Sequence, residues 1–251
     1  MAVTFEPVSS FPQEQLESNA KYSESLGLPS IEQFEAVGPL AIVGGGPSIN
    51  NYKYTLQSWP GNVWAINRTY KWCKDNHINA VFFSFDPNPS VEEMVVGAEQ
   101  AILGDRVDTS VYERLQGKRI WRGEGNLGGT TSVGAAIISG FKCGFESVTL
   151  FGCESSYQPY QSHAYAHFEP SDELVIWVDG MHFITSPQML MAAIELSQMI
   201  KSNPHFMRER SGGLLRAMLE SPTDYQIVGC TQSFQDKIDA CALEQNTALV
   251  N

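Results

Sequence analysis

Residues 44–48 read GGGPS and close a short apolar run, LAIV, so that main-chain N–H groups stand almost free of side chains. Gly44, Gly45 and Gly46 would let a phosphate or a sugar approach the backbone. The chain then leaves through Pro47, and Ser48 is placed to cap a following helix. The same residues would equally serve as a tight strand-to-helix turn that holds nothing. The pattern is not GxGxxG and no acidic residue occupies the matching ribose position, which argues against a dinucleotide.

Three further strand ends carry chemistry. In AINR, Asn67 and Arg68 close an apolar run. The Asn67 carboxamide can donate to and accept from a base or ribose hydroxyl, or it can cap a helix starting at Thr69. In SFDPNP, Asp86 can bind a metal, orient a sugar hydroxyl, or form an Asx-turn into Pro87. In GEGNLGGTTSVGAA, Gly128, Gly129, Thr130 and Thr131 precede a helix of small residues, an arrangement suited to close packing and to anion contact at its start. Beyond Gly152 one loop gathers Glu154, Ser155, Ser156, Tyr157, Tyr160, His163, Tyr165 and His167, too rich in polar and aromatic groups for a plain connector. His163 and His167 have a spacing that makes a metal pair only on a helix, and Pro159 argues against one there, so no metal is assigned to them. A single His163 acting as general base is the sharper reading, with a surface histidine as its alternative.

The elements that must position these groups follow from hydrophobic patterning. The runs LAIV, VWAI, AVFFSF, KRIW and SVTLFG lack period-two alternation, as strands buried on both faces do. Helical stretches separate them: 49–58, RTYKWCKDN, SVEEMVVGAEQAI, TTSVGAAIISGF and SPQMLMAAIELSQMIKS. The expectation is an α/β fold of the Rossmann-like, doubly wound kind, a mostly parallel sheet with helices on both faces. Residues 1–38 read as an N-terminal arm with a short helix ended by Gly27. Residues 39–222 are expected to form a Rossmann-like, nucleotide-binding domain, and 223–251 a tail without firm pattern. In such sheets ligands sit at the carboxyl ends of strands, where the residues above lie.

A length of 251 residues, 43% of them hydrophobic, provides for a real core. A net charge of −12 argues against nucleic acid or an anionic membrane as partner, while leaving room for a small anion held on backbone amides. Cys73, Cys143, Cys153, Cys230 and Cys241 form no CxxC pair and indicate neither a disulfide framework nor a zinc site. With no apolar run of membrane-spanning length and no signal-peptide pattern at the start, a cytoplasmic protein is expected, with an oligomer possible.

The segments IVGGGPSI, FFSFDPNPS, GGTTSVGAAIISGFKCGFESVTLFGCESSY followed by SHAY, and FITSPQMLMAAIELSQMI resemble the motility accessory factor glycosyltransferases and archaeal 6-hydroxymethylpterin pyrophosphokinases. More distantly they resemble bacterial sialyltransferases that use a CMP-linked donor. The resemblance spans about residues 40–215. It implies that Gly44 to Ser48 and Asn67 contact a nucleotide, that Asp86 matches an acidic strand end, and that Thr131 and Ser132 match a central helix start. Glu154 and His163 fall where the family shows an Asp after Gly and a His before Ala, and Thr185 and Ser186 match a Thr-Ser before the last long helix. Cys153 and Glu154 depart from the usual Gln-Asp.

The resulting expectation is a transferase with a nucleotide-activated donor, a CMP-sugar first. Gly44 to Ser48, Asn67, Gly129, Thr130, Thr131, Ser132 and Tyr157 would bind the nucleotide, while His163, Asp86 and Glu154 would serve the chemistry. In an ATP-dependent pyrophosphokinase alternative, Asp86 and Glu154 would hold Mg²⁺ and a heterocycle would stack on Tyr157 or Tyr160. A non-catalytic nucleotide-binding module is the third reading.

Overall fold

The computed structural model describes residues 11–124, 131–157, 173–221 and 225–231. In chain order the elements are α1 (Gln13–Ser25), β1 (Leu40–Val43), α2 (Lys53–Gln57), β2 (Val63–Ile66), α3 (Thr69–Asp75), β3 (Val81–Ser84), α4 (Val91–Met94), β4 (Gln100–Gly104), α5 (Thr109–Arg114) and β5 (Arg119–Gly123). They continue with α6 (Ser132–Lys142), β6 (Val148–Phe151), β7 (Glu173–Val178), β8 (Met181–Thr185), α7 (Pro187–Ser202), β9 (Met207–Glu209), α8 (Gly213–Glu220) and β10 (Gln226–Thr231). Seven strands form one sheet in the order β5-β4-β3-β2-β1-β6-β9, and every neighbouring pair is parallel. This is the α/β, Rossmann-like architecture expected from the buried runs.

Successive residues of each strand enter opposite layers of the core. Ala41, Val43, Ala65, Phe82 and Leu103 pack with Leu56 of α2, Tyr70 and Trp72 of α3 and Val111 of α5. Leu40, Ile42, Trp64, Phe83 and Ile102 pack on the other side with Ala136 and Ile137 of α6 and Leu196 of α7. Burial on both faces explains why the strands read as unbroken apolar runs. The arm is anchored in the second layer. Phe34 is buried and meets Trp64 edge-on at 5.3 Å and Trp121 at 4.8 Å, while α1 is tied down by Asn19 and Ser23 donating to the carbonyls of Arg106 and Asp105.

Three segments differ from the sequence expectation. The stretch SVEEMVVGAEQAI is helical only over Val91–Met94, and its end belongs to β4. Gly97, at φ 77°, stops the helix, and its carbonyl accepts from Tyr70 and Lys74. Second, β10, β7 and β8 form a separate antiparallel sheet whose Ile176 and Val178 pack on α7 and α8. Its β7–β8 turn is Asp179-Gly180, with both residues at positive φ, as a two-residue hairpin requires. Third, residues 226–231, read as patternless tail, are the strand β10. Among the described residues no helix is long and apolar enough to cross a membrane.

Because Phe34 joins the arm to the aromatic layer, truncating it should cost far more than a surface change. Phe34→Ala is expected to lower unfolding free energy by about 3–5 kcal/mol, measured by urea denaturation. A loss below about 1 kcal/mol would show that the arm does not depend on this contact.

Candidate functional site

The chain leaves β1 toward β2, fills that half of the sheet as far as β5, and returns to β6 on the other side of β1. The segments following β1 and β6 therefore diverge, which is the topological condition for a ligand crevice at their carboxyl ends. The glycine turn lies there. The Gly44 N–H donates to the Phe151 carbonyl and the Gly46 N–H to that of Gly152, each at 2.8 Å. A Cβ on Gly44 would stand 2.5 Å from the Gly152 carbonyl oxygen, and one on Gly152, itself at φ 65°, 2.5 Å from that of Gly44. The glycines thus admit the approach of the neighbouring turn.

Glu154 completes this contact. Its side chain lies over Gly46, where an added Cβ would land on the carboxylate, and its Oε1 accepts from the Ser48 N–H at 2.6 Å. The residue is 1% exposed, and both Glu154 Oε2 and the Ser48 hydroxyl are buried without a hydrogen-bond partner. Burial pushes the Glu154 carboxyl above the usual carboxylate range, hydrogen bonding with Ser48 pulls it back, and the nearby Glu209 charge adds to the rise. Gly44, Gly46 and Ser48 have therefore spent their N–H groups inside the protein. Burial foremost, with the neighbouring Glu154 charge, raises the Cys153 thiol far above its ordinary value, the opposite of an activated nucleophile.

The loop after β6 is held on its other side by the β9–α8 connection. Ser211 Oγ accepts from the Cys153 N–H at 2.7 Å, Ser156 Oγ from the Leu214 N–H at 3.1 Å, and the Glu154 carbonyl from the Leu215 N–H. Thr185 Oγ1 donates to the Ser155 carbonyl at 2.7 Å. A second buried carboxylate organises the connection itself: Glu209 accepts from the N–H groups of Ser211 and Gly212 and from Arg216 Nε. Glu209 was not singled out from the sequence. The signal was an acidic residue at the end of a short strand, separated by Arg210 from Ser-Gly-Gly. Tyr157 is 7% exposed, packs with Ile184 and Met189 and bridges to the Ile184 carbonyl, so its ring is part of the core here.

One strand over, Asn67 ends β2 at φ 49°, a left-handed conformation that Asn tolerates better than most residues. Its N–H donates to the Phe83 carbonyl at 3.0 Å and its own carbonyl accepts from Tyr70. The N-cap of α3 is Arg68, with no side-chain capping bond, and Asn67 Oδ1 is buried without a partner. Arg68 Nε is likewise buried and unpartnered. At the end of β3, Asp86 Oδ1 accepts from the Asn88 N–H at 2.9 Å, the Asx-turn, and burial raises its carboxyl against the pull of that bond. Ser132 Oγ accepts from the Phe85 N–H and Thr131 Oγ1 from Gly134, which brings the start of α6 to the end of β3. Gly129, Thr130 and His163 lie outside the described residues.

The crevice edge thus presents Asp86, Asn67 with Arg68, the glycine turn, Glu154 and Glu209 in the order of their strands. Two strands separate β3 from β6, so their ends are roughly 14 Å apart at about 4.8 Å per strand. Asp86 turns to Asn88 and Glu154 to Ser48, and the two carboxylates do not converge on one Mg²⁺. Among the described residues no group of three or more His, Cys, Asp and Glu is placed to hold a metal ion. A cavity of about 270 Å³ near Asn62, Tyr70, Asn79 and Glu99 lies at the amino ends of β2–β4, away from this edge.

No protein-family model and no curated protein matches the sequence. Among solved structures, the MAf glycosyltransferase from Magnetospirillum magneticum AMB-1 superposes with a TM-score of 0.58 at 14% identity, over 93% of this chain. The chain spans 42% of the length of that protein. At this identity the likeness establishes the fold.

The raised Glu154 carboxyl fixes the sign of a pH effect. Its folded-state value lies above the ordinary 4.5, so its stabilising contribution is complete at lower pH and is lost as pH rises through the folded value. Thermal melts from pH 4 to 8 should show wild type losing stability relative to Glu154→Gln as pH rises, while Glu154→Ala, which strands the Ser48 N–H, falls about 1–3 kcal/mol below Gln. A difference between wild type and Gln that does not change with pH would contradict the buried-carboxyl account.

Proposed function

We propose that the chain is a transferase that binds a nucleotide-activated sugar at the carboxyl ends of β1, β2 and β6, with a CMP-sugar as donor, and that it is a relative of the motility accessory factor glycosyltransferases. One observation carries the reading. Asn67 holds a strained φ of 49° and leaves its carboxamide oxygen buried and unpartnered beside the switch point, as a side chain kept for a ligand would. Unfavourable backbone geometry persists where the surroundings over-determine it, and such positions cluster at ligand sites. The fold likeness to a glycosyltransferase and the sequence resemblance support the same class.

In this reading the acceptor hydroxyl attacks the anomeric carbon of the donor, the bond from that carbon to the phosphate oxygen breaks, and the nucleotide leaves with the electron pair. The acceptor proton passes to a general base, assigned to His163 from its position in the sequence. Asn67 would orient the base or ribose by accepting one of its hydrogen bonds. Glu154 would shape the crevice wall by holding the β1 turn against the β6 loop. The separation of Asp86 from Glu154 gives the pyrophosphokinase alternative no shared metal seat.

A thermal-shift screen of CMP, a CMP-sugar, a UDP-sugar, ATP and GTP, with and without Mg²⁺, tests the assignment. Ligand at 100 times its Kd adds about 2.7 kcal/mol, equivalent to a rise of roughly 5–10 °C for a chain of this size. The cytidine ligands should give this rise without Mg²⁺. A rise confined to ATP with Mg²⁺ would replace the reading with the pyrophosphokinase, and no rise with any nucleotide would remove it.

A further inference from the structure

We infer that Asn67 and Arg68 form a phosphate-ester subsite, in which the Arg68 guanidinium takes a phosphate oxygen and the Asn67 carboxamide oxygen accepts from a neighbouring hydroxyl of the same ligand. The inference rests on the nucleotide reading above and moves the phosphate from the glycine turn to the end of β2.

Two observations weigh against the turn as it stands. The N–H groups of Gly44, Gly46 and Ser48 are committed to Phe151, Gly152 and Glu154. The last of these partners is a carboxylate, so a phosphate there would have to displace one anion from beside its own position. The protein as a whole compounds the problem, because 28 acidic residues against 16 Lys and Arg leave an approaching anion repelled except where a cation meets it locally.

At the end of β2 such a cation is at hand. Arg216 is engaged by Glu209 and Glu220, and Arg122, whose Nε is also buried without a hydrogen-bond partner, pairs with Glu124. Arg68 makes no ion pair among the described residues, and its Nε is buried without a hydrogen-bond partner. A guanidinium is the side chain best suited to a phosphate, and a buried N–H on it left unmade is unfavourable unless an acceptor arrives. Asn67 beside it supplies the complementary defect, a buried acceptor without a donor. Its backbone is pinned at both ends, by the Phe83 carbonyl and the Tyr70 N–H, so the main chain from which both side chains leave is held in place. A cation lacking an acceptor next to an acceptor lacking a donor matches an anionic ester with an adjacent hydroxyl, which is the chemistry of a ribose or sugar phosphate.

The test compares CMP with cytidine by calorimetry on wild type, Arg68→Gln, Arg68→Lys and Asn67→Gly; glycine accommodates the positive φ at position 67. Wild type should bind CMP at least about tenfold more tightly than cytidine, a ratio typical of one charge-assisted contact. Arg68→Gln should bring that ratio to within about twofold while leaving cytidine affinity in place, with Arg68→Lys intermediate. Asn67→Gly should weaken both ligands. The unliganded melting temperatures of Arg68→Gln and Asn67→Gly should equal or exceed that of wild type, since neither loses a made side-chain bond, whereas a merely structural Arg68 would give a lower one. A CMP preference that survives in Arg68→Gln overturns the subsite and leaves the nucleotide reading standing. If wild type binds neither CMP nor cytidine, the nucleotide reading falls, and inorganic pyrophosphate decides the subsite. A pyrophosphate-induced melting shift lost in Arg68→Gln supports it, and no shift in wild type, or one retained in Arg68→Gln, overturns it.

Discussion

The carboxylate of Glu154 sits between the turn that follows β1 and the loop that follows β6, and the shape of the crevice edge depends on it. It accepts from the Ser48 main chain and occupies the space that a side chain at position 46 would need. Its own carbonyl receives the Leu215 N–H, so one residue links β1, β6 and α8. Bringing a carboxyl so deep is unfavourable without compensation. The compensation here is partial, with one oxygen hydrogen-bonded and the other left without a partner, and the elevated proton affinity of the group follows from that imbalance.

Around this clamp the edge divides into a closed and an open part. On the β6–β9 side almost every polar group has an internal partner, from Ser211 and Ser156 to the Glu209 carboxylate, and Tyr157 is built into a small apolar cluster. On the β2 side, Asn67 holds a positive φ, and Asn67 Oδ1 and Arg68 Nε have unmet hydrogen bonds. Buried polar groups in folded proteins are nearly always satisfied. Asn67 Oδ1 and Arg68 Nε are two of the exceptions among the described residues, beside the Ser48 hydroxyl, Glu154 Oε2, Trp64 Nε1, Arg122 Nε and Ser139 Oγ, and this pair follows a strand end, the position where open parallel sheets place their ligands.

The fold was legible because strands buried on both faces leave a local signature: Leu40 to Val43 or Val63 to Ile66 can be recognised without any knowledge of what covers them. β4 was obscured because Val91, Val95 and Ala98 repeat with helical spacing and all reach one layer of the core, so periodicity ran on past the break at Gly97. The β7–β8 hairpin carried its Asp-Gly turn in plain view, yet its strands stood outside the βα alternation used to read the rest. At the crevice, residue type and strand-end position pointed to the glycine turn, Asn67, Asp86 and Glu154. Their partners were not readable, because the decisive contact joins residues 106 positions apart. Glycines that suggested room for a ligand make room for another turn of the same chain, and Asp86 forms the Asx-turn that its neighbouring prolines also allowed.

The likeness to a glycosyltransferase over 93% of the chain is a likeness of scaffold, and what this chain does with that scaffold rests on how its own strand ends are filled. A crystal structure of the protein with CMP bound examines this most directly. The account predicts the phosphate beside the Arg68 guanidinium, the Asn67 carboxamide engaged by a ligand hydroxyl, and Glu154 still on the Ser48 N–H. A phosphate seated on the Gly45 and Ser48 amides, with the Glu154 side chain swung away, would contradict it.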